Sequence, residues 1–225
     1  AGLRHAKGEY VGFVDSDDWV DETMFEKLYQ NAKAFEADIT MCSVTTFDER
    51  TRQLSTQDPY ITLDLFSKSF DNRVFKYDEM LNFLFRMSVC IWHKIYRTEF
   101  LKLNTIVFEE KFPLAEDNVF SLEAFLKAQK CSLIRDHLYF HRICSETSTV
   151  YGSDDKKLPL FKVHKKCKEI LKQADVYKHL KKSFKAHEKY HLIYWYNRIQ
   201  DPKIKKRYYL KLIAKYPFFL FENVI

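Results

Sequence analysis

The sequence predicts an α/β layered fold followed by a helical region, and three observations carry this prediction. Helical and strand-like segments alternate over the first half, starting with a helix end and an apolar run at residues 10–14. Gly and Pro are scarce, at 4 and 5 of 225 residues, which argues against a turn-dense all-β fold. Towards the C-terminus the chain becomes basic, and apolar side chains recur there at helical spacing.

The elements can be predicted in order along the chain. Residues 10–14, YVGFV, have the unbroken apolar character of a strand buried on both faces of a parallel sheet. Asp21 suits the N-cap of a helix over 22–37. The remaining predictions are a strand at 38–47, a long loop at 48–75, a helix at 76–87, a strand at 89–96, a short helix at 97–104, a helix at 116–130, a strand or hairpin at 131–143, and basic helices near 157–174, 176–199 and 202–216.

Charge divides the chain into two parts. Residues 1–154 hold 18 Lys and Arg against 25 Asp and Glu, whereas residues 155–225 hold 19 against 6. We therefore predict a slightly acidic domain over 1–154 and a basic, aromatic-rich helical extension over 155–225. The extension suggests an anionic partner, either a membrane lipid or a polyanion, and a solvated helix face is the alternative. No recognised nucleic-acid module occurs, so we expect no nucleic-acid partner.

Cysteine usage and hydropathy indicate the compartment. The five cysteines form no CxxC pair, which is typical of free thiols in a reducing environment. No run of 18 apolar residues and no signal peptide are visible. We expect a cytoplasmic location, with peripheral contact at the inner face of the membrane through the basic extension.

A cluster of carboxylates follows the first predicted strand. Asp15, Asp17 and Asp18 come where the strand 10–14 ends, and ligands of open parallel sheets bind beyond that end of the strands. Carboxylates this close repel one another unless a positive charge lies among them. Hard divalent cations such as Mg²⁺ or Mn²⁺ take oxygen ligands and bridge to phosphate. The pattern favours a metal held against a diphosphate, and a solvated loop of turn and capping residues is the alternative.

A second acidic feature opens the helix predicted at 116–130. Glu116 and Asp117 occupy its first turn, where free backbone N–H groups stabilise negative charge. From these residues alone, ordinary helix capping is the favoured interpretation.

The segment AGLRHAKGEYVGFVDSDDWVD, residues 1–21, resembles the central part of family 2 glycosyltransferases with the GT-A (Rossmann-like) fold. The matching positions are Gly2, Ala6, Gly8, Tyr10, Phe13, Asp15, Asp17 and Asp18. The resemblance covers about residues 1–150. It implies inverting, metal-dependent transfer of a sugar from a nucleotide-diphosphate donor, a UDP-sugar, to a saccharide or lipid-linked acceptor, in bacterial surface polysaccharide biosynthesis.

The resemblance also implies roles for the two acidic features. Asp15 is expected near the ribose and donor sugar, and Asp17 is expected to be the chief ligand of Mn²⁺ or Mg²⁺, with Asp15 and Asp18 as further ligands. The family carries an E-D pair about as far beyond its acidic motif as Glu116 and Asp117 lie here. By this correspondence Asp117 is the general base and Glu116 binds the acceptor or supports the base.

Two further segments resemble parts of the family. CIWHKIYRTEFL (90–101) suggests that Trp92 and Lys94 bind the acceptor, and a core Trp with an interfacial Lys is the alternative. YFHRICSETSTV (139–150) suggests His141 as a further metal ligand and Arg142 as the donor phosphate contact, since a guanidinium offers a planar donor fork. An ordinary strand position is the alternative for His141.

The resemblance does not include the first part of the family domain. Family domains normally start with further strands that contact the nucleotide base, so we expect this chain to be the C-terminal part of an N-terminally truncated domain, and inactive alone. A non-catalytic glycan- or membrane-binding module is the alternative function. A nucleotidyltransferase also uses paired Asp residues, but it would not require the E-D helix start.

Overall fold

The chain folds into two compact units. A computed structural model describes residues 2–56, 63, 66–81, 83–87, 89–143 and 153–217. One unit comprises Ala1–Glu109 and Glu116–Ser148, and the other comprises Glu110–Ala115 and Thr149–Ile225. We call them the sheet unit and the helical unit. The predicted α/β sheet and helical C-terminal region are thus confirmed, whereas the functional division at residue 154 stays a prediction.

The sheet unit alternates short helices with strands. Its helices are α1 (Gly2–His5), α2 (Met24–Phe35), α3 (Leu84–Met87), α4 (Thr98–Leu103) and α5 (Glu116–Lys127). Its strands are β1 (Tyr10–Gly12), β2 (Trp19–Val20), β3 (Ile39–Asp48), β4 (Gln53–Ser55), β5 (Lys94–Arg97) and β6 (Cys131–Ile143).

Strand β3 is the centre of the sheet. The order is β1-β5-β3-β6-β2, with β4 pairing beside β3. β3 runs parallel to β6 and antiparallel to β5 and β4. The prediction for residues 10–14 was wrong in one respect: β1 is half-buried and pairs antiparallel with β5. Among the described strands it lies at the sheet edge, so one side of it has no covering strand.

Helices cover both faces of the sheet. On one face, Met24 and Leu28 of α2 pack with Val44 and Ile95 in a buried core cluster. The other face carries α5, where Phe120 contacts the ring of Tyr96 edge-on at 5.4 Å between centroids. The sheet is therefore a middle layer, and the acidic loop after β1 and the start of α5 both belong to this unit.

Several predicted boundaries differ from the structure. The loop expected at 48–75 contains strand β4, and the strand expected at 89–96 begins only at Lys94. The helix expected at 76–87 is a 3-10 turn, Tyr77–Met80, followed by short α3. Thr23, not Asp21, is the N-cap residue of α2, although the Asp21 carboxylate accepts a hydrogen bond from the Thr23 backbone N–H at 2.9 Å.

The helical unit contains the three expected basic helices. They are α6 (Leu160–Gln173), α7 (Tyr177–Tyr196) and α8 (Pro202–Lys215). Asp201 caps α8, because its carboxylate accepts from the N–H groups of Lys203 and Ile204 at 2.7 and 3.0 Å. No described helix has the length and apolar character needed to cross a membrane. Four cysteines, Cys42, Cys90, Cys131 and Cys167, are free and buried, and Cys144 lies outside the described residues.

Candidate active site

The acidic loop is a turn between two strands. Residues 13–18 leave β1 and close with a hydrogen bond from the Asp18 N–H to the Asp15 carbonyl at 3.1 Å. Immediately afterwards Trp19 and Val20 form β2, which pairs with Phe140 and Tyr139 of β6. The acidic motif is thus held between an edge strand and the C-terminal half of the long strand β6.

Asp18 fastens this loop to β6. One oxygen of its carboxylate accepts from the Tyr139 hydroxyl at 2.7 Å, and the other accepts from the Arg142 backbone N–H at 2.7 Å. The Tyr139 hydroxyl in turn accepts from the Asp15 backbone N–H at 3.1 Å. Burial raises the pKa of Asp18, and the bond from Arg142 opposes that rise. Both Asp18 oxygens are therefore already engaged by protein donors, which fits an anchoring role.

Asp15 lies beside Asp18 in the same loop and is crowded by negative charge. Its backbone N–H is held by Tyr139, while the residue itself is exposed. Its pKa is raised to about 6 by desolvation and then by the charges of Asp18, Asp17 and Glu116. A cation would stabilise such a crowded carboxylate, so the expectation of a positive charge at this loop has a local physical reason.

Asp117 lies where α5 begins. One oxygen of its carboxylate accepts the Asn118 backbone N–H at 2.8 Å. Its pKa is raised to about 8, chiefly by burial and then by the charge of Glu116, with Asp15 adding to the rise and Lys94 opposing it. The charge of Glu116 raises the pKa of Asp15, and the charge of Asp15 raises the pKa of Asp117. The fold therefore brings the two acidic features together, although they lie about a hundred residues apart in the chain.

Arg142 is engaged with the protein in this structure. Its Nε donates to the Asp17 carbonyl at 2.8 Å, and its guanidinium pairs with Glu49 at 2.5 Å. The guanidinium also lies over the rings of Trp19 and Phe47, at 5.2 and 5.7 Å from their centroids. Arg142 thus braces the acidic loop through both its backbone and its side chain. Its predicted contact with donor phosphate stays a prediction, and would require the Glu49 pair to rearrange.

His141 precedes Arg142 on β6, and one of its ring nitrogens has no hydrogen-bond partner among the described residues. Its ring stacks on Trp92 at 5.0 Å between centroids, and Asp18 is close enough for the two charges to interact. The Nδ1 atom is buried and has no hydrogen-bond partner among the described residues. An unpartnered buried imidazole nitrogen is an available metal ligand.

Trp92 and Lys94 lie in the interior rather than on an open surface. Trp92 is 6% exposed and stacks on Tyr139 at 4.2 Å between centroids. Lys94 is fully buried, and its Nζ donates to the Cys90 carbonyl at 2.7 Å. This burial favours the core interpretation that the sequence left open, and acceptor binding by Trp92 and Lys94 stays a prediction. The charge of Lys94 instead lowers the pKa of Asp117.

The donor atoms suit a hard divalent cation in kind. Asp15 and Asp17 supply carboxylate oxygens, and His141 supplies an unpartnered nitrogen. Within the described residues, however, no three His, Cys, Asp or Glu side chains are already grouped closely enough to hold a metal. A cation would therefore have to draw these side chains together, and it would need further oxygen ligands from a bound molecule.

Two residues of this site escaped the sequence analysis. Tyr139 ties Asp15 to Asp18, and Glu49 holds Arg142. Residues two apart on a strand share a face, so the position of Tyr139 relative to His141 was a usable signal. Glu49 follows β3 and reaches Arg142 across the parallel pairing, which no local pattern predicts.

A family model matches the first part of the chain. The model for glycosyl transferase family 2 matches residues 1–102, which include the acidic loop and the strand carrying Lys94. Residues 1–102 belong to glycosyl transferase family 2. The resemblance inferred from the residues around Asp15 is thereby confirmed.

Curated proteins that match this chain include glycosyltransferases. The uncharacterized glycosyltransferase EpsJ of Bacillus subtilis is 32% identical over 146 residues, covering 63% of this chain and 40% of EpsJ. The cholesterol galactosyltransferase of Borreliella burgdorferi is 28% identical over 231 aligned positions, covering 95% of this chain and 61% of that protein. The chain thus spans less than two thirds of the length of either relative.

Solved structures show the same fold. The crystal structure of Staphylococcus aureus TarS residues 1–349 in complex with UDP-GlcNAc matches with a TM-score of 0.51 and 17% identity, over 88% of this chain and 60% of that one. The complex of the same protein with UDP matches with a TM-score of 0.50 and 21% identity, over 75% and 42%. At these identities the likeness establishes a GT-A glycosyltransferase fold.

Proposed function

We propose that the protein transfers a sugar, with inversion at the anomeric carbon, from a nucleotide-diphosphate donor to a saccharide or lipid-linked acceptor. The observation that carries the proposal is the meeting of carboxylates from distant parts of the chain. The charge of Glu116, at the start of α5, raises the pKa of Asp15, and the charge of Asp15 raises the pKa of Asp117. Groups with such perturbed pKa values cluster at functional sites.

Asp117 is the proposed general base. An inverting transfer needs a carboxylate that takes the acceptor hydroxyl proton as that oxygen attacks the anomeric carbon. A pKa of about 8 makes a strong base once the carboxylate is ionised, and the buried ammonium of Lys94 favours that ionised form. Glu116 is proposed to bind the acceptor hydroxyls or to support Asp117.

Asp15 and Asp17 are the proposed donor and metal ligands, and His141 is a proposed further metal ligand. Asp18 would join them only by releasing one of the hydrogen bonds that it accepts from Tyr139 and Arg142. When bound, Mn²⁺ or Mg²⁺ would neutralise the negative charge that develops on the departing nucleoside diphosphate. Asp18 keeps the loop on β6, so that Asp15 and Asp17 remain at the strand end. Arg142 supports this loop as long as its guanidinium stays paired with Glu49.

The donor and the acceptor class follow from the relatives by analogy. A UDP-sugar donor is supported by the TarS structures, which contain UDP or UDP-GlcNAc. The relatives' names span a lipid acceptor, cholesterol, and a polymer acceptor, poly(ribitol-phosphate). By this analogy we propose a role in bacterial surface polysaccharide or glycolipid synthesis, on the cytoplasmic side of the membrane.

The test is the substitution Asp117→Asn in the full-length protein. We expect transfer from a radiolabelled nucleotide sugar to be lost, while metal-dependent binding of the donor, measured by calorimetry, is retained. Asp21→Asn is the matched control, because Asp21 is also an Asp beside a helix start but lies outside the acidic site. Normal transfer by the Asp117 variant would refute the base assignment.

The alternative function is a non-catalytic module that binds glycans or a membrane. It predicts that unaltered full-length protein neither transfers sugar nor hydrolyses nucleotide sugars when Mn²⁺ is supplied. Turnover that requires Mn²⁺ and Asp117 would exclude this alternative.

A further inference from the structure

One face of helix α7 carries five lysines and no acidic residue. Lys178, Lys181, Lys182, Lys185 and Lys189 follow one another at intervals of three, one, three and four residues. At about 100° per residue, all five fall within an arc of about 100° around the helix and extend over about 17 Å of its length. We call them the α7 lysine face.

Packing within the helical unit fixes which way this face points. Leu180, Phe184 and Trp195 are buried on a different side of α7, and the lysine face ends before Leu192, which is buried at the same angular position one turn further on. Lys178, Lys181, Lys182 and Lys185 are exposed, and Lys189 is half-buried. The lysine face is therefore on the outside of the unit by the same periodicity that buries the apolar face.

The four exposed lysines of this face lack the acidic partners that some surface lysines elsewhere in the chain have. On α2, Lys27 pairs with Asp136 and Lys33 pairs with Glu9. On α7 the four exposed lysines form no ion pair or hydrogen bond with any described residue. The sole acidic residue of α7, Glu188, is buried and pairs with Lys215. A helix face adapted only to water usually mixes both signs of charge.

The arrangement also opposes the stability of α7 itself. Lysines at i and i+4, such as Lys178 with Lys182 and Lys181 with Lys185, repel each other across one turn. Lys178 lies in the first turn, where the helix dipole disfavours positive charge and where the helix has no acidic residue. An external anionic surface would relieve both penalties.

We propose that the α7 lysine face binds the surface of an anionic phospholipid bilayer. Clusters of four to eight basic residues on one side of an amphipathic helix have the charge density that attracts acidic lipids. The basic residues of the face are all lysines, which act as point charges, whereas recognition of individual phosphate groups favours the planar fork of arginine within a cleft. A flat, diffuse negative surface therefore fits it better than a single phosphorylated chain.

This proposal is independent of the transfer reaction, because none of the five lysines belongs to the candidate active site. The experiment is flotation of the full chain with phosphatidylcholine vesicles that contain or lack phosphatidylglycerol. The test variant is Lys178→Gln, Lys181→Gln and Lys185→Gln combined. The matched control replaces the exposed lysines of the sheet unit, Lys7, Lys68 and Lys102, by Gln, which removes the same three charges.

We expect the unaltered chain and the control to float with the anionic vesicles only, and binding to vanish at high salt. The α7 variant should bind roughly 100-fold more weakly, from about fivefold per lysine near an anionic surface. Circular dichroism checks that α7 stays helical, which exposed Lys→Gln changes should not disturb.

Three results would overturn the proposal. The first is equal binding by the α7 variant and the control, and the second is equal binding to vesicles with and without phosphatidylglycerol. The third is failure of the unaltered chain to bind vesicles while it binds soluble polyphosphate through the same three lysines. That last outcome would assign the face to a polyanion.

Discussion

Replacing Asp117 by Asn should stabilise the sheet unit. The pKa of Asp117 is about 8 in the folded chain against an ordinary 3.8, because burial and Glu116 disfavour its charge. An acid whose pKa is raised by folding contributes stability that is lost as pH rises between those two values. At pH 7 the folded chain still holds a proton that the unfolded chain has released. The amide introduced by Asp117→Asn has no such proton to release, and its oxygen can still accept from the Asn118 N–H.

The size of the effect follows from the same pKa. At about 1.4 kcal/mol per pKa unit, the full loss for Asp117 at pH 7 is about 4 kcal/mol. We expect about half of this, about 2 kcal/mol, because solvent reaches part of the side chain and screens its neighbours. The gain should shrink towards zero near pH 4 and grow as the pH approaches 8.

The assay is urea unfolding in the presence of a chelator, at pH 4.5, 7 and 8, for the unaltered chain and for Asp117→Asn. Asp21→Asn is again the control: the pKa of Asp21 is lowered by its bonds to Thr23, so this substitution should destabilise the chain at neutral pH. A stability gap for Asp117→Asn that is absent, or that does not change with pH, would refute the reasoning. A confirmed gap would mean that the site sacrifices stability for reactivity.

Two further predictions concern the loop brace and the helical unit. Glu49→Gln removes the ion pair that holds Arg142, so we expect the metal concentration for half-maximal transfer to rise by about tenfold with the maximal rate little changed. The control is Glu22→Gln, which changes an exposed glutamate. An unchanged metal dependence in the Glu49 variant would contradict the role of Arg142 in holding the acidic loop. Burial lowers the pKa of His187 to about 4 and of His191 to about 3. Their neutral forms are favoured by folding, so the helical unit should keep its stability above about pH 6.5 and lose about 2 to 4 kcal/mol by pH 5. Thermal unfolding by circular dichroism checks this, and replacing both histidines by Gln should reduce the loss.

Much of the candidate site was predictable from local sequence. Asp15, Asp17 and Asp18 follow an apolar strand, and Glu116 and Asp117 open an amphipathic helix, so their chemistry shows in a few adjacent residues. Helix and strand periods also predicted the central strand β3 and the three basic helices.

What was missed depends on contacts between distant residues. Asp18 receives its hydrogen bonds from residues 121 and 124 positions away, and Arg142 meets Glu49 across 93 positions. Trp92 is a residue type whose ring could stack on a sugar, yet it is buried because it packs against Tyr139. The strand at residues 10–12 has the composition of a fully buried strand, but it lies at the sheet edge and pairs with a single antiparallel strand.

The kind of chemistry can be predicted from local sequence, because carboxylates after an apolar strand and at a helix start are local patterns set by solvation and by backbone geometry. The lysine face of α7 can be predicted in the same way, since helical periodicity alone groups those residues. Which carboxylates are free to act depends instead on contacts between distant residues. Asp18 is consumed in holding the loop, while Asp15 and Asp117 are left crowded and partly desolvated, and their raised pKa values arise from that desolvation and from the carboxylates that the fold places around them.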